Sequence, residues 1–395
     1  MMGPLTFFPA MNRRTFLRWA VAAGALLGLP GQARCGWFLP GGKNEKTVTG
    51  NDAPRTLWKW SRRVYHQESL KNGYVKCLTC PNTCILPPEA RSRCRSHVNK
   101  DGTLYTLVYG NPCAVHVDPV EKKPLYHFLP ASSTFSIATT GCSFHCLNCQ
   151  NWEISQARPE DVRFQELFPE TVVARAEKAG CSSIAYTYSE ATTFFEYMID
   201  TARTARRSGL RNLWVTNGYI RREPLADLCG VLDAANVDIK GFSEEVYGKL
   251  MAGRLAPVLE TLEFLRERKV WFEMTALIVP TYTDDRARVR EMCRWILDRL
   301  GPDYPLHFSR FYPHYRLTGL PPTSVPFLVD ARKTALDMGL RYVYIGNIPP
   351  GEWNDTFCPG CGKAVVRREG YRILENGITG GACPTCGTPI AGVWT

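Results

Sequence analysis

Gly141-Cys142-Ser143-Phe144-His145-Cys146-Leu147-Asn148-Cys149 decides how this chain is read. Its three thiols stand at C-x3-C-x2-C spacing, directly after the strand-like run Phe135-Ser136-Ile137-Ala138-Thr139-Thr140. Soft thiolates select iron–sulfur clusters or zinc. A trio can hold three irons of a cubane [4Fe–4S] cluster and leave the fourth iron free to bind a small molecule. The competing reading is a zinc site closed by Cys142, Cys146, Cys149 and His145.

Outward from this loop, short apolar strands alternate with helices. The strand candidates are 135–139, 183–188, 213–216, 237–240, 271–279, 306–311 and 342–345. They carry few alternating polar positions, as parallel strands covered on both faces do. Amphipathic stretches fill the gaps at 170–179, 192–207, 223–234, 254–268 and 324–338. In another, Thr283-Asp284-Asp285 offers an N-cap, Val289, Met292, Ile296 and Leu300 recur at helical steps, and Gly301 ends the run. Six or seven βα units in series predict an α/β fold. It is an incomplete parallel (β/α) barrel over 134–350, with active groups at the C-terminal ends of strands.

The cysteine spacing resembles the radical SAM superfamily. Gln150-Asn151-Trp152-Glu153-Ile154-Ser155-Gln156 narrows the likeness to the radical SAM member of the AmmeMemoRadiSam system, a relative of the activating enzymes for pyruvate formate-lyase. The resemblance covers about residues 70–350. It implies a [4Fe–4S] cluster on Cys142, Cys146 and Cys149, with S-adenosylmethionine (SAM) on the free iron. An external one-electron donor would then drive reductive cleavage of SAM to a 5′-deoxyadenosyl radical, which takes hydrogen from a substrate.

The same resemblance assigns SAM contacts. Ser189 and Glu190, in Tyr186-Thr187-Tyr188-Ser189-Glu190-Ala191, would meet the amino end of SAM, with Ala191 where proline is usual. Thr216 and Asn217, in Val215-Thr216-Asn217-Gly218, would meet ribose or the methionyl group, with Val215 where the relatives have Asp. Asp238-Ile239-Lys240 matches the relatives' Asp-x-Lys. Strand alternation puts both charges on the inner face, where Lys240 would pair the SAM carboxylate. His314 stands one residue from the place of a SAM-contacting histidine, while His307 and Arg310 could instead face substrate. Asn148 replaces the aromatic that usually precedes the third cysteine, which leaves adenine to Phe144, Trp152 or another residue. Plainer readings stand beside these: a helix-starting glutamate, an Asn-Gly turn, an internal ion pair and structural histidines.

The chain has 16 cysteines. Cys77, Cys80, Cys84 and Cys94 form a C-x2-C-x3-C-x9-C set in a Cys-rich module at 59–133, with Cys113 and His97 as spare candidates. Four thiols this close can hold zinc or an auxiliary cluster, or pair as disulfides after export. The run 118–128 that follows matches a segment of the relatives, and its plain reading is a charged connector. Cys358-Pro359-Gly360-Cys361 and Cys383-Pro384-Thr385-Cys386 read as two knuckles of a zinc ribbon at 351–395. Cys181, Cys229 and Cys293 sit in apolar surroundings as structural thiols.

Residues 1–35 read as a leader. Asn12-Arg13-Arg14-Thr15-Phe16-Leu17-Arg18 resembles a twin-arginine export motif, and the apolar run 19–29 behind it is too short for a confident membrane span. This predicts a periplasmic or membrane-associated protein, with a cytoplasmic one as the alternative. A linker follows at 36–58, rich in Gly, Asn and Pro. The net charge is +11, and the leader's arginines account for about four of it. The rest is spread out, which argues against a nucleic-acid interface. Three functions are weighed: a radical SAM enzyme; a non-catalytic iron–sulfur and zinc scaffold or electron-transfer protein; and a zinc-ribbon nucleic-acid binder, against which the scattered charge speaks. Substrate and reaction are not written in these motifs, and methyl or sulfur transfer stays possible. By resemblance alone, a glycyl-radical, Memo-like or AMMECR1-like protein would be substrate or partner.

Overall fold

The computed structural model describes residues 54–395. The expected leader, and residues 36–53 of the expected linker, lie outside the described residues.

Six short strands come first: β1 (Arg62–Arg63), β2 (Gln67–Ser69), β3 (Val75–Cys77), β4 (Ile85–Leu86), β5 (His97–Lys100) and β6 (Thr103–Thr106). They pair antiparallel in two sheets, ordered β1-β6-β5 and β2-β3-β4. Val64, Val75, Leu86, Ala90 and Leu104 form the small apolar core between them, with Cys77 part of it.

The main sheet has eight strands. β7 (Ala114–Pro119) runs antiparallel to β8 (Ser133–Ala138). β7 falls inside the stretch read as the Cys-rich module, so the module is shorter than 59–133 and the sheet begins at Ala114. β9 (Ser183–Tyr186), β10 (Arg211–Thr216), β11 (Ala234–Asp238), β12 (Trp271–Ile278), β13 (Leu306–Arg310) and β14 (Val343–Gly346) follow, each parallel to the strand before. The spatial order equals the chain order, with β7 and β14 as free edges, so the parallel sheet is an open one. Helices at Pro169–Lys178, Phe195–Arg207, Arg222–Cys229, Ala256–Glu267, Arg286–Arg299 and Val325–Asp337 cross between strands. The Arg286–Arg299 helix starts where its cap predicts: the Asp285 carboxylate accepts from the Ala287 and Arg288 backbone N–H groups.

Pairing overrides local pattern at two boundaries. The helix expected over 223–234 stops at Cys229, and the strand expected over 237–240 spans Ala234–Asp238. Ala234 is registered against Leu213, and Asp233 accepts from the Asn212 N–H at 2.8 Å, so the chain is already extended there. The strand expected to reach Tyr188 ends at Tyr186. Tyr188 has φ +64°, a left-handed conformation that bends the chain across the top of the sheet.

Residues 120–128 are no exposed charged connector. Val120, Leu125 and Phe128 are buried against Ala185, Leu213 and Ala234, toward the strand-start end of the sheet. Glu273, fully buried on β12, accepts from the Tyr126 and His127 N–H groups at 3.0 and 2.7 Å. The C-terminal unit closes over this segment. Its strands β15 (Thr356–Phe357), β16 (Ala364–Glu369) and β17 (Arg372–Asn376) form an antiparallel sheet. The Arg368 guanidinium donates to the Tyr126 carbonyl at 2.8 Å, and Phe128 bridges to Val393.

Candidate active site

The loop after β8 is tied down along its whole length. The Gly141 N–H donates to Ile154 O, that of His145 to Met251 O and that of Leu147 to Leu250 O, at 2.9–3.0 Å. The Asn82 side-chain amide donates to Ser143 O at 2.8 Å, and the Arg316 N–H donates to Leu147 O at 3.0 Å. Gly141 has φ +106°, and a Cβ there would lie 2.7 Å from Cys94 O and 2.1 Å from Ser96 Oγ. Only glycine fits that approach. Phe144, one of the two named adenine candidates, is taken up by packing within the protein. It is fully buried on Tyr219, its ring centroid 4.8 Å away, and fills the space in front of Gly253. Phe144 therefore anchors the loop. Trp152 remains open: it is 40% exposed and stacks on Tyr315, with centroids 5.1 Å apart and planes at 15°.

The three sulfurs fit a polynuclear cluster better than a single ion. Among the described residues, Cys358, Cys361, Cys383 and Cys386 are the one group of three or more possible ligands whose atoms all lie within 4.8 Å of one another. Cys142, Cys146, Cys149 and His145 do not converge in that way. Burial pushes the Cys146 thiol up to about 12. Burial first, then Glu190 and Cys146, holds Cys142 well above the ordinary thiol range, and burial raises Cys149. Thiols so covered do not ionise alone; bound cations supply the charge that deprotonates them. The Phe144 N–H already points at Cys142 Sγ, 3.4 Å away.

Around the loop stand the residues singled out from sequence. Glu190 is 1% exposed and its carboxylate is occupied by the protein itself. It accepts from Thr192 N–H (3.0 Å), Thr192 Oγ1 (2.7 Å), Thr216 Oγ1 (2.8 Å) and Asn217 N–H (2.8 Å). Burial raises its pKa despite these donors. Glu190 thus braces the end of β10, and little of it is free for the amino group of a ligand. Ser189 Oγ beside it is buried without a partner, an open hydrogen-bonding position at the mouth of the sheet. Asn217 reaches the cluster loop, its amide 3.1 Å from Ser143 Oγ and 3.8 Å from Cys142 Sγ.

Asp238 ends β11 and Lys240 lies beyond it. Their charges meet at 2.7 Å, both partly exposed. Burial works against the Lys240 ammonium, yet Asp238 and Cys146 hold its pKa above the usual lysine range. Tyr247 fixes this turn by accepting from the Lys240 N–H at 3.1 Å.

On the β13 side the histidines behave differently from expectation. His307 is buried and its Nε2 lies 2.6 Å from Glu273, so it belongs to the polar core at the strand-start end and does not face the loop. His314 is exposed in a turn closed by the Leu317 N–H. Its neighbours Tyr315 and Arg316 make the contacts to Trp152 and Leu147. Arg310 donates to Thr323 O at 2.8 Å. Asn82, Ser96 and Tyr315 were invisible as site residues, because each acts through a partner far away in sequence.

Two further cysteine groups flank the sheet. The Cys358 and Cys386 sulfurs lie 3.5 Å apart, and those of Cys361 and Cys383 3.7 Å apart. Cys77, Cys80, Cys84 and Cys94 line one small cavity with His97, Thr79, Asn82, Ser92, Thr192 and Thr193.

The profile of the radical SAM superfamily matches residues 136–296, which hold the cysteine loop and the ends of β9, β10 and β11. An uncharacterized protein of Methanocaldococcus jannaschii is 42% identical over 331 residues, covering 83% of this chain and 98% of its own. The pyruvate formate-lyase 1-activating enzyme of Escherichia coli K12 is 27% identical over 151 residues, 37% of this chain and 61% of that enzyme. Among solved structures, a radical SAM methyltransferase from Sphaerobacter thermophilus aligns with TM-score 0.43 at 15% identity, covering 60% of this chain and 71% of that one. By its matched core and by a relative that it spans almost end to end, the chain belongs to the radical SAM superfamily.

Proposed function

We propose that this chain cleaves SAM reductively and uses the resulting radical to take a hydrogen atom from a substrate, a protein being one candidate class by sequence resemblance. The observation that carries the proposal is the arrangement at Cys142, Cys146 and Cys149: one buried and two half-buried thiols, without the tight convergence of the C-terminal four, held by a loop with partners on every side. Cys142, Cys146 and Cys149 would hold a [4Fe–4S] cluster, which would supply the electron for reductive cleavage of SAM.

The chain's own residues do the rest. Lys240 offers a cation beside Cys146, suited to the SAM carboxylate and kept charged by Asp238. Ser189 Oγ and the Tyr188 turn offer polar atoms for the amino group. Trp152, backed by Tyr315, offers a flat face for adenine. Glu190, Thr216 and Asn217 position the strand ends that carry these groups. His314 is not required for this reading.

Zinc is the proposed ion of the C-terminal group, because sulfurs 3.5–3.7 Å apart suit a tetrahedron with Zn–S near 2.3 Å. Association with a Memo-like, AMMECR1-like or glycyl-radical protein, and export through the leader, are parts of the proposal that rest on sequence resemblance. No helix among the described residues is long and apolar enough to cross a membrane.

The deciding experiment is anaerobic iron and sulfide loading, reduction, and addition of SAM. Formation of 5′-deoxyadenosine and methionine supports the proposal. A fully loaded, reduced protein that forms neither is not a radical SAM enzyme in function.

A further inference from the structure

We infer that Cys77, Cys80, Cys84 and Cys94 hold a second iron–sulfur cluster, set directly behind the loop of Cys142, and that the external donor's electron enters through it. The electron-entry part rests on the function just proposed; the identity of the second site does not.

The spacing of the sulfurs speaks first. Zinc in a tetrahedron of thiolates needs S···S near 3.8 Å, since each Zn–S bond is about 2.3 Å. The C-terminal cysteines meet that condition, and the four N-terminal ones do not close to within 4.8 Å as a group. Instead they surround a cavity. A cubane takes one thiolate at each iron and so needs ligands that stand apart around a space. His97 is part of the wall: its Nδ1 lies 3.9 Å from Cys77 Sγ and 4.0 Å from Cys94 Sγ, placed to give an N–H to cluster sulfurs.

The second observation is where this cavity sits. The Cys94 carbonyl is 2.7 Å from the point where a Gly141 side chain would begin, and Gly141 is bonded to Cys142. Ser96 Oγ donates to Thr140 O at 2.9 Å, and the Asn82 amide donates to Ser143 O at 2.8 Å, one contact on each side of Cys142. Thr193 lines the cavity and also approaches Gly141. The chain that carries Cys94 therefore packs directly on the loop that carries Cys142. Cys80 and Cys84 are only partly covered, which leaves an edge for a docking electron carrier. The step is a bare electron transfer. A low-potential one-electron carrier is oxidised, the second cluster is reduced and then reoxidised by the first, and no atom moves.

The test removes the first cluster and counts metal on the full chain. Wild-type protein loaded anaerobically should hold about eight irons and eight sulfides, and the C142A/C146A/C149A variant about four of each, with one zinc in both. Zinc in place of iron at the second site of the triple variant, or no metal there, overturns the inference. Wild type that holds only about four irons, all lost in the triple variant, leaves the proposed function standing and rejects the second cluster. Iron fully retained in the triple variant, together with wild type at the same content, rejects the first site while upholding the second. Placement is read by EPR after full reduction. The wild-type signal should be broadened by two interacting spins, and a spectrum equal to the sum of those of C142A/C146A/C149A and C77A/C94A overturns the back-to-back arrangement.

Discussion

The carboxylate of Glu190 accepts a hydrogen bond from the backbone N–H of Asn217 at 2.8 Å, joining the loop after β9 to the loop after β10. Thr216 Oγ1 adds a second link to the same carboxylate at 2.8 Å. A buried carboxylate so fully engaged works as a clamp, and Asn217 passes its position on to Ser143 in the cysteine loop. Replacing Glu190 with Gln turns one acceptor into a donor that faces other donors. We expect a loss of about 1–3 kcal/mol of stability and reduced iron loading, whereas an ordinary ligand-contact residue would weaken SAM binding with loading unchanged. Thermal melting and iron content of the same preparation separate the two.

Gly141→Ala should abolish iron at the Cys142 loop while the rest of the fold survives. The new methyl meets the Cys94 backbone carbonyl, which cannot swing aside, and φ +106° is strained for any residue with a Cβ. Circular dichroism should remain native in shape, and iron content should fall. Full iron loading would show that the loop moves freely and that its tethering is unimportant.

Trp152→Ala and Lys240→Met should leave the cluster signal intact and weaken SAM binding. Loss of the charge-assisted partner at Lys240 is worth on the order of tenfold in affinity or more. Loss of the aromatic face at Trp152 is worth about 0.5–1.5 kcal/mol. Equilibrium binding of SAM to the loaded, oxidised protein reads both. Phe144→Ala should act otherwise, costing about 3–5 kcal/mol of stability by emptying a core position.

His127 gives the polar core at the strand-start end a pH dependence. Burial first holds its pKa down to about 4, against the ordinary 6.5 of a histidine. The unfolded chain therefore takes up a proton below pH 6.5 that the folded chain refuses until about pH 4. The stability contribution is present above pH 6.5 and is lost as pH falls toward 4, by about 3 kcal/mol in total. His127→Asn should flatten that part of the curve relative to wild type when denaturant midpoints are compared from pH 7 to 5.

What was legible in the sequence was local. Cys142, Cys146 and Cys149 sit within eight residues, and the paired knuckles at Cys358 and Cys383 repeat one spacing, so their chemistry shows without a fold. Asp238 and Lys240 meet because two residues suffice to bring them together. The parallel strands were visible as apolar runs, because covering both faces removes alternation. The rest depended on contacts that spacing does not encode. Glu190 looks like a ligand group until Thr216 and Asn217 fold onto it. Phe144 looks like an adenine platform until Gly253 leaves the gap it fills. His307 was read as facing substrate, yet Glu273 on the neighbouring strand claims it. The stretch 120–128 looks charged and exposed, and is buried because Glu273 and Arg368 satisfy its backbone.

The central claim is that the Cys142 loop holds a cluster with one iron open to SAM, and EPR of the reduced, oxygen-free protein before and after SAM addition tests it most directly. The account predicts a spectrum that changes on addition of SAM, with the change absent from C142A/C146A/C149A. A fully reduced protein whose iron–sulfur signal is the same with and without SAM contradicts it.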